Sequence, residues 1–143
     1  MKLEQVQELL PRSVREMSQR LGLPATLVVV EKLGGISWRV AEGRGGEGEA
    51  RRAALAELVG SDIEEQLHHH YAGEELYLAK CDAALRRLRD LQIHRRFEAG
   101  VRQGRGARDL VAELAREYKL SDRWVWEILG RFLPEPEQGT LFH

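Results

Sequence analysis

Apolar residues recur every three or four positions over most of this chain, so the pattern predicts helices first. Between residues 109 and 118, Leu110, Leu114 and Tyr118 fall on one face beside Val111 and Ala115. Between 121 and 132, Val125, Ile128, Leu129 and Phe132 form a second stripe. Ser121 stands where the later helix needs an N-cap, its hydroxyl able to accept an orphan backbone N–H. Ala115 is small where two crossing helices approach, and Leu120 can plug the angle between them. This is the helix-turn-helix pattern, whose second helix lies in the DNA major groove. Its turn carries Lys119 where glycine is usual, at a cost of roughly 1 kcal/mol.

The rest of the pattern runs in order. Leu3 to Leu10 predicts a short helix stopped by Pro11, and Ser13 to Leu21 a second, closed by Gly22. Pro24 opens a third helix that ends at Gly34-Gly35. Ile36 to Val40 alternates apolar and polar and predicts a half-buried strand. Gly43 to Glu49 (GRGGEGE) reads as a flexible loop, and Ala50 to Val59 as a helix capped by Gly60. Ser61-Asp62-Ile63-Glu64 has capping-box form and starts a helix to about Tyr71. Glu75 to Ala79 alternates like a second strand. Cys81 to Ala99 predicts a longer helix, with Leu85, Leu88, Ile93 and Phe97 inward and its arginines largely solvated. After Phe132 the tail has two prolines and little to pack, so it is expected to be disordered or loosely docked.

The first two parts repeat. A shift of 38 residues lays Gly22 on Gly60, Gly35 on Gly73, and Trp38-Arg39-Val40-Ala41 on Leu76-Tyr77-Leu78-Ala79. Each unit reads helix, glycine, short strand. Two such strands make a marginal ribbon by themselves, which predicts a symmetric homodimer that supplies further pairing.

Charge divides the chain. The net charge is −1 over 143 residues, which alone says nothing about nucleic acid. Residues 1–79 hold 9 Lys/Arg against 13 Asp/Glu, whereas residues 80–131 hold 13 against 8. Contact with a polyanion is therefore assigned to the back half. Cys81 is the single cysteine, which excludes an internal disulfide, fits a reducing cytosol and reads as a structural thiol. No apolar run reaches the ~18 residues of a membrane span, and the first residues lack a signal-peptide core. His68-His69-His70 cannot chelate one ion from a regular helix, where successive side chains point about 100° apart. There is no phosphate loop, paired-acid motif or nucleotide fingerprint, so the sequence predicts no enzyme, no metal and no cofactor.

Within this frame the outward face of the last helix can be placed. With Val125 inward, Arg123, Glu127 and Gly130 point outward and Trp126 lies on one shoulder. Ser121, Asp122, Arg123, Trp126 and Glu127 hold the positions that usually meet base edges. Arg123 can donate to guanine and Glu127 can accept from cytosine. Trp124 stays open between packing on the preceding helix and stacking at the backbone. Arg105, Arg108 and Lys119, with Arg102 as an addition, are candidate phosphate contacts. Strand alternation turns Tyr77 away from the helical layer, toward DNA or toward a partner chain, with Lys80 beside it and Gly73 as a hinge.

Four stretches carry a family resemblance: LPRSVREMSQRLGLPATL, the Gly-Gly plus strand, YAGEELYLAKCDAALRRLRD and VAELAREYKLSDRWVWEIL. From about Leu10 to Leu133 the chain resembles the middle operon regulator (Mor/C) transcription activators of Mu-like phages and prophages. The resemblance implies a mainly α fold with two short β-strands. Residues 1–79 would be an N-terminal α+β dimerisation domain, 80–133 a homeodomain-like helix-turn-helix domain, and 134–143 a flexible tail. It further implies a homodimer on an inverted-repeat promoter of double-stranded DNA, in contact with bacterial RNA polymerase, in the cytoplasm and on the nucleoid of the host. The strand Glu75–Ala79 would approach DNA between the half-sites. Ala72 stands where the first of two glycines is expected, and Ala79 where a proline often ends the strand. The rival reading is a phage adaptor that keeps the dimer scaffold without specific DNA binding.

Overall fold

In the computed structural model, which describes residues 7–42 and 45–132, two glycines at the repeat spacing frame the N-terminal half. Helix α1 (Arg12–Leu21) runs into Gly22 and α2 (Leu23–Leu33) leaves it. Helix α3 (Gly45–Val59) runs into Gly60 and α4 (Ser61–Tyr71) leaves it. Gly22 has φ 89° and ψ 159°, and Gly60 has φ 92° and ψ 153°. That region is essentially closed to residues with a Cβ. Each glycine serves two helices. Its N–H closes the helix behind, Gly22 on Ser18 O at 2.9 Å and Gly60 on Ala56 O at 2.8 Å. Its carbonyl opens the helix ahead, accepting from Thr26 N–H at 3.1 Å and Glu64 N–H at 3.0 Å.

Each helix pair delivers one strand. β1 (Ser37–Arg39) and β2 (Glu75–Tyr77) pair antiparallel within the chain, with Ser37 opposite Tyr77, Trp38 opposite Leu76 and Arg39 opposite Glu75. Beyond the strands, Gly35 N–H donates to Leu78 O at 2.7 Å and Gly73 N–H donates to Val40 O at 2.8 Å. Beneath lies a core of Val14, Met17, Leu21, Val29, Val30, Ile63 and Leu67, joined by Val40 and Leu78 at the strand ends. The ribbon thus finds its pairing and its packed face inside one chain, so the strand-based need for a second copy is met internally.

Several sequence expectations change. Gly45 to Glu49 belongs to α3 and not to a loop, Gly43 and Arg44 lying outside the described residues. Three glycines in five residues did not stop the helix, since glycine lowers helix propensity by only about 1 kcal/mol per residue. The capping box at Ser61 is absent: Gly60 is the N-cap, without a side-chain cap. Glu64 is buried instead and accepts both Arg52 Nε, at 2.9 Å, and Arg52 Nη2, at 3.0 Å. Both strands are three residues long. Of the first predicted helix only residues 7–9 are described as helical, and the tail from residue 133 lies outside the described residues.

Contacts divide the chain into a first unit up to Leu88 and a second from Arg89, inside helix α5 (Asp82–Arg102). The start of α5 is tied to the first unit by Arg86, 3.5 Å from Glu31 of α2. Helix α5 also outruns its predicted end at Ala99, so Gly100 is helical and buried. Its reason is close approach: a Cβ there would stand 2.4 Å from Leu110 Cδ2. The second unit adds α6 (Ala107–Tyr118) and α7 (Asp122–Gly130). Its core joins Ile93 of α5 to Val111, Leu114 and Tyr118 of α6 and to Val125, Ile128 and Leu129 of α7.

The hinge glycines yield a test. A Cβ on Gly22 would meet nothing nearer than Pro24 Cδ at 3.8 Å, and one on Gly60 nothing within 4 Å. Gly22→Ala and Gly60→Ala should therefore each cost about 1–3 kcal/mol through backbone strain alone. Denaturant midpoints equal to that of the parent protein would show that these φ values are not required.

Candidate nucleic-acid interface

The local geometry of the second unit follows from one buried seam. Val111, Leu114, Ala115 and Tyr118 of α6 face Val125, Ile128 and Leu129 of α7, with half-buried Leu120 in the angle. The turn between the helices is a left-handed cap at Lys119, φ 57° and ψ 47°, the one positive φ outside glycine among the described residues. From it Leu120 N–H reaches Ala115 O at 2.9 Å. Ser121 then caps α7, its Oγ accepting the Trp124 backbone N–H at 3.1 Å.

Because the seam takes Val125, Ile128 and Leu129, the opposite face is free. Ser121, Asp122, Arg123, Trp126 and Glu127, the five base-reading candidates, are all exposed. They occupy the cap, first turn and outward face of one nine-residue helix. Trp126 is 45% exposed, and its ring meets Phe97 of α5 edge-on at 6.1 Å, so it leans on the shoulder nearer α5. Trp124 takes the other shoulder, with the Arg131 guanidinium 5.3 Å from its ring. Arg131 also approaches Asp90 at 3.6 Å.

The candidate phosphate contacts divide into two kinds. Arg102, Arg108 and Lys119 are exposed. Arg105 is also exposed, but donates to Glu113 of α6. That hydrogen bond, reinforced by the charge of Arg105, holds the Glu113 carboxyl below its ordinary range, so the pair is ionised at neutral pH. Arg96 likewise donates to Glu117 and lies 5.8 Å from the Tyr118 ring centre. Sequence reasoning had missed these acidic partners. Spacing along one helix reveals i,i+4 pairs, whereas Arg105 lies in the loop ahead of α6 and meets Glu113 within that helix.

Tyr77, Lys80 and Gly73 belong to the first unit. Tyr77 is 56% exposed while Leu78 is buried, so the strand alternates as expected. Lys80 is exposed. Gly73 has φ 82° and is pinned by its hydrogen bond to Val40. His68 sets Nδ1 3.2 Å from Ala41 O, and among the described residues no His, Cys, Asp and Glu group could hold a metal ion. The Cys81 thiol is pushed up by burial and by Asp82.

The seam, the turn and the outward face all lie in a stretch matched by a family model, that of the Mor transcription activator family, over residues 31–135. The chain belongs to that family. Its members are transcription activators, and so regulators rather than enzymes. The match begins inside α2, which leaves α1 and most of α2 ahead of it. No curated protein and no solved structure matches the chain. Among the described residues no helix is long and apolar enough to cross a membrane.

Two substitutions test the turn that aims α7. Lys119→Gly removes the left-handed penalty but loosens the unfolded chain, so it should stabilise by about 1 kcal/mol or less. Ser121→Ala should destabilise by about 1 kcal/mol through loss of the cap. Chemical unfolding of both variants measures the two effects, and a destabilised Lys119→Gly or a stabilised Ser121→Ala would refute this account of the turn.

Proposed function

We propose that this protein is a sequence-specific, DNA-binding transcription activator that reads the major groove with α7. The observation that carries the reading is the exposed face of α7, bearing Asp122, Arg123 and Glu127, inside a match to an activator family. Arg123 donates to a guanine edge and Glu127 accepts from a cytosine amino group. Arg102, Arg105, Arg108 and Lys119 neutralise phosphates and fix the register of α7 on the duplex. Along the lines of the family, two copies occupy an inverted repeat as a homodimer on the promoter and contact bacterial RNA polymerase. Tyr77 and Lys80 touch the backbone or minor groove between the half-sites.

Binding to the promoter region upstream of the chain's own gene, followed by mobility shift, tests the reading directly. A specific complex is expected, and its absence would leave the adaptor alternative standing. Arg123→Ala should lose about 1–3 kcal/mol at a single base position with the fold intact, whereas a uniform loss over all sequences would make Arg123 a phosphate contact.

Salt dependence tests the basic set. Log affinity should fall linearly with log salt between 50 and 200 mM, with a slope near −0.9 per phosphate neutralised. Because Glu113 competes with DNA for Arg105, Glu113→Gln should tighten binding and Arg105→Ala should weaken it. An unchanged affinity in Glu113→Gln would remove Arg105 from the contact.

A further inference from the structure

We propose that residues 12–80 are a single-chain counterpart of a two-subunit dimerisation head, so that the free protein is a monomer with one copy of α7 per head. Any second copy then joins at its own half-site on DNA. Only that last clause rests on the DNA-binding reading above.

The geometry points to an internal two-fold. Trp38 and Leu76, the central pair of the ribbon, are themselves one repeat apart, so the axis passes between them. The same shift exchanges Gly35 with Gly73 and Val40 with Leu78. It therefore converts the hydrogen bond Gly35 N–H to Leu78 O into Gly73 N–H to Val40 O, and both are made, at 2.7 and 2.8 Å. The helices obey the same operation. Within each half α1 packs on α2 and α3 on α4; across the axis α1 packs on α4 and α2 on α3.

The contacts across the axis are not self-complementary. Arg20 of α1 lies over the Tyr71 ring of α4, 5.0 Å from its centre. The repeat counterparts of Tyr71 and Arg20 are Leu33 and Leu58, which line one cleft of about 400 Å3 between α3 and the ribbon. Two first halves brought together from separate chains would set Leu33 against Arg20, and two second halves would set Tyr71 against Leu58. The halves differ inside as well: the fully buried Val14 and Thr26 of one correspond to the Arg52–Glu64 ion pair of the other. The pairing is thus built for a first half with a second half.

Covalent linkage decides whose second half that is. β1 ends at Arg39 and α3 begins at Gly45. So short a link holds the second half at an effective concentration on the order of millimolar, which a second copy at micromolar concentration does not match. The family match starts at residue 31, so the segment ahead of it supplies the helices of the first half.

Sedimentation equilibrium of the full chain without DNA, over micromolar concentrations, should give the 16.3 kDa chain mass throughout. Twice that mass would overturn the proposal. A double variant, Ser37→Cys with Tyr77→Cys in a Cys81→Ser background, places thiols on directly opposed residues of the ribbon. Mild oxidation should yield a disulfide within one chain, seen as faster migration at monomer mass on a non-reducing gel. Disulfide-linked dimers would show that the ribbon forms between chains, and no cross-link at all would remove the ribbon; either result refutes the single-chain head. Neither measurement involves DNA, so their outcome is independent of the mobility-shift result.

Discussion

The antiparallel pairing of β1 with β2 is the interaction on which the first unit depends. Three-residue strands have little stability of their own. Here the ribbon is held at both ends by hydrogen bonds from left-handed glycines, and Val40 N–H adds a bond to Glu74 O at 2.9 Å. Val40 and Leu78 then descend into the core, which fixes the register, because a slip of one residue would turn both into solvent. Each strand carries its helix pair with it. Placing the strands therefore places four helices.

The second unit is organised by a different constraint, the single apolar seam between α6 and α7. The seam uses three residues of α7, and geometry assigns the remaining side chains to the outside without further instruction. On the DNA-binding reading proposed above, function there is a matter of competition between anions. Glu113 and Glu117 already satisfy Arg105 and Arg96 in the free chain. Phosphates would have to exchange with those carboxylates, and exposed ion pairs of this kind are weak enough to permit it.

How much was legible in the sequence depended on whether the signal was local. Helices α6 and α7 could be read because their periodic apolar faces, the Ser121 cap and the turn between them all lie within about twenty residues. The repeat was legible because Gly22 and Gly60, and Gly35 and Gly73, keep one spacing. What stayed hidden was where the second strand of the ribbon came from, since alternation in residues 36–40 says nothing about the identity of its mate. The capping box at Ser61 misled for a related reason: Glu64 fits the local motif, but a more distant partner, Arg52, claims its carboxylate. The glycines of residues 45–49 misled by composition: each lowers helix propensity by only about 1 kcal/mol, and the largely exposed first turns of α3 keep their helical form as part of a fifteen-residue helix.

Gly100 carries a consequence of another kind. A Cβ added there would stand 2.4 Å from Leu110 Cδ2 and 2.8 Å from its Cδ1, so a methyl group on one is admitted only when the isobutyl group on the other shifts or shrinks. Changes at these two positions are therefore coupled. A descendant that acquired alanine at 100 while keeping leucine at 110 would have to repack the contact between α5 and α6 in the intermediate step. The pair acts as a constraint on sequence drift in this part of the chain, and in related chains a side chain at the position of Gly100 should accompany a smaller residue at that of Leu110.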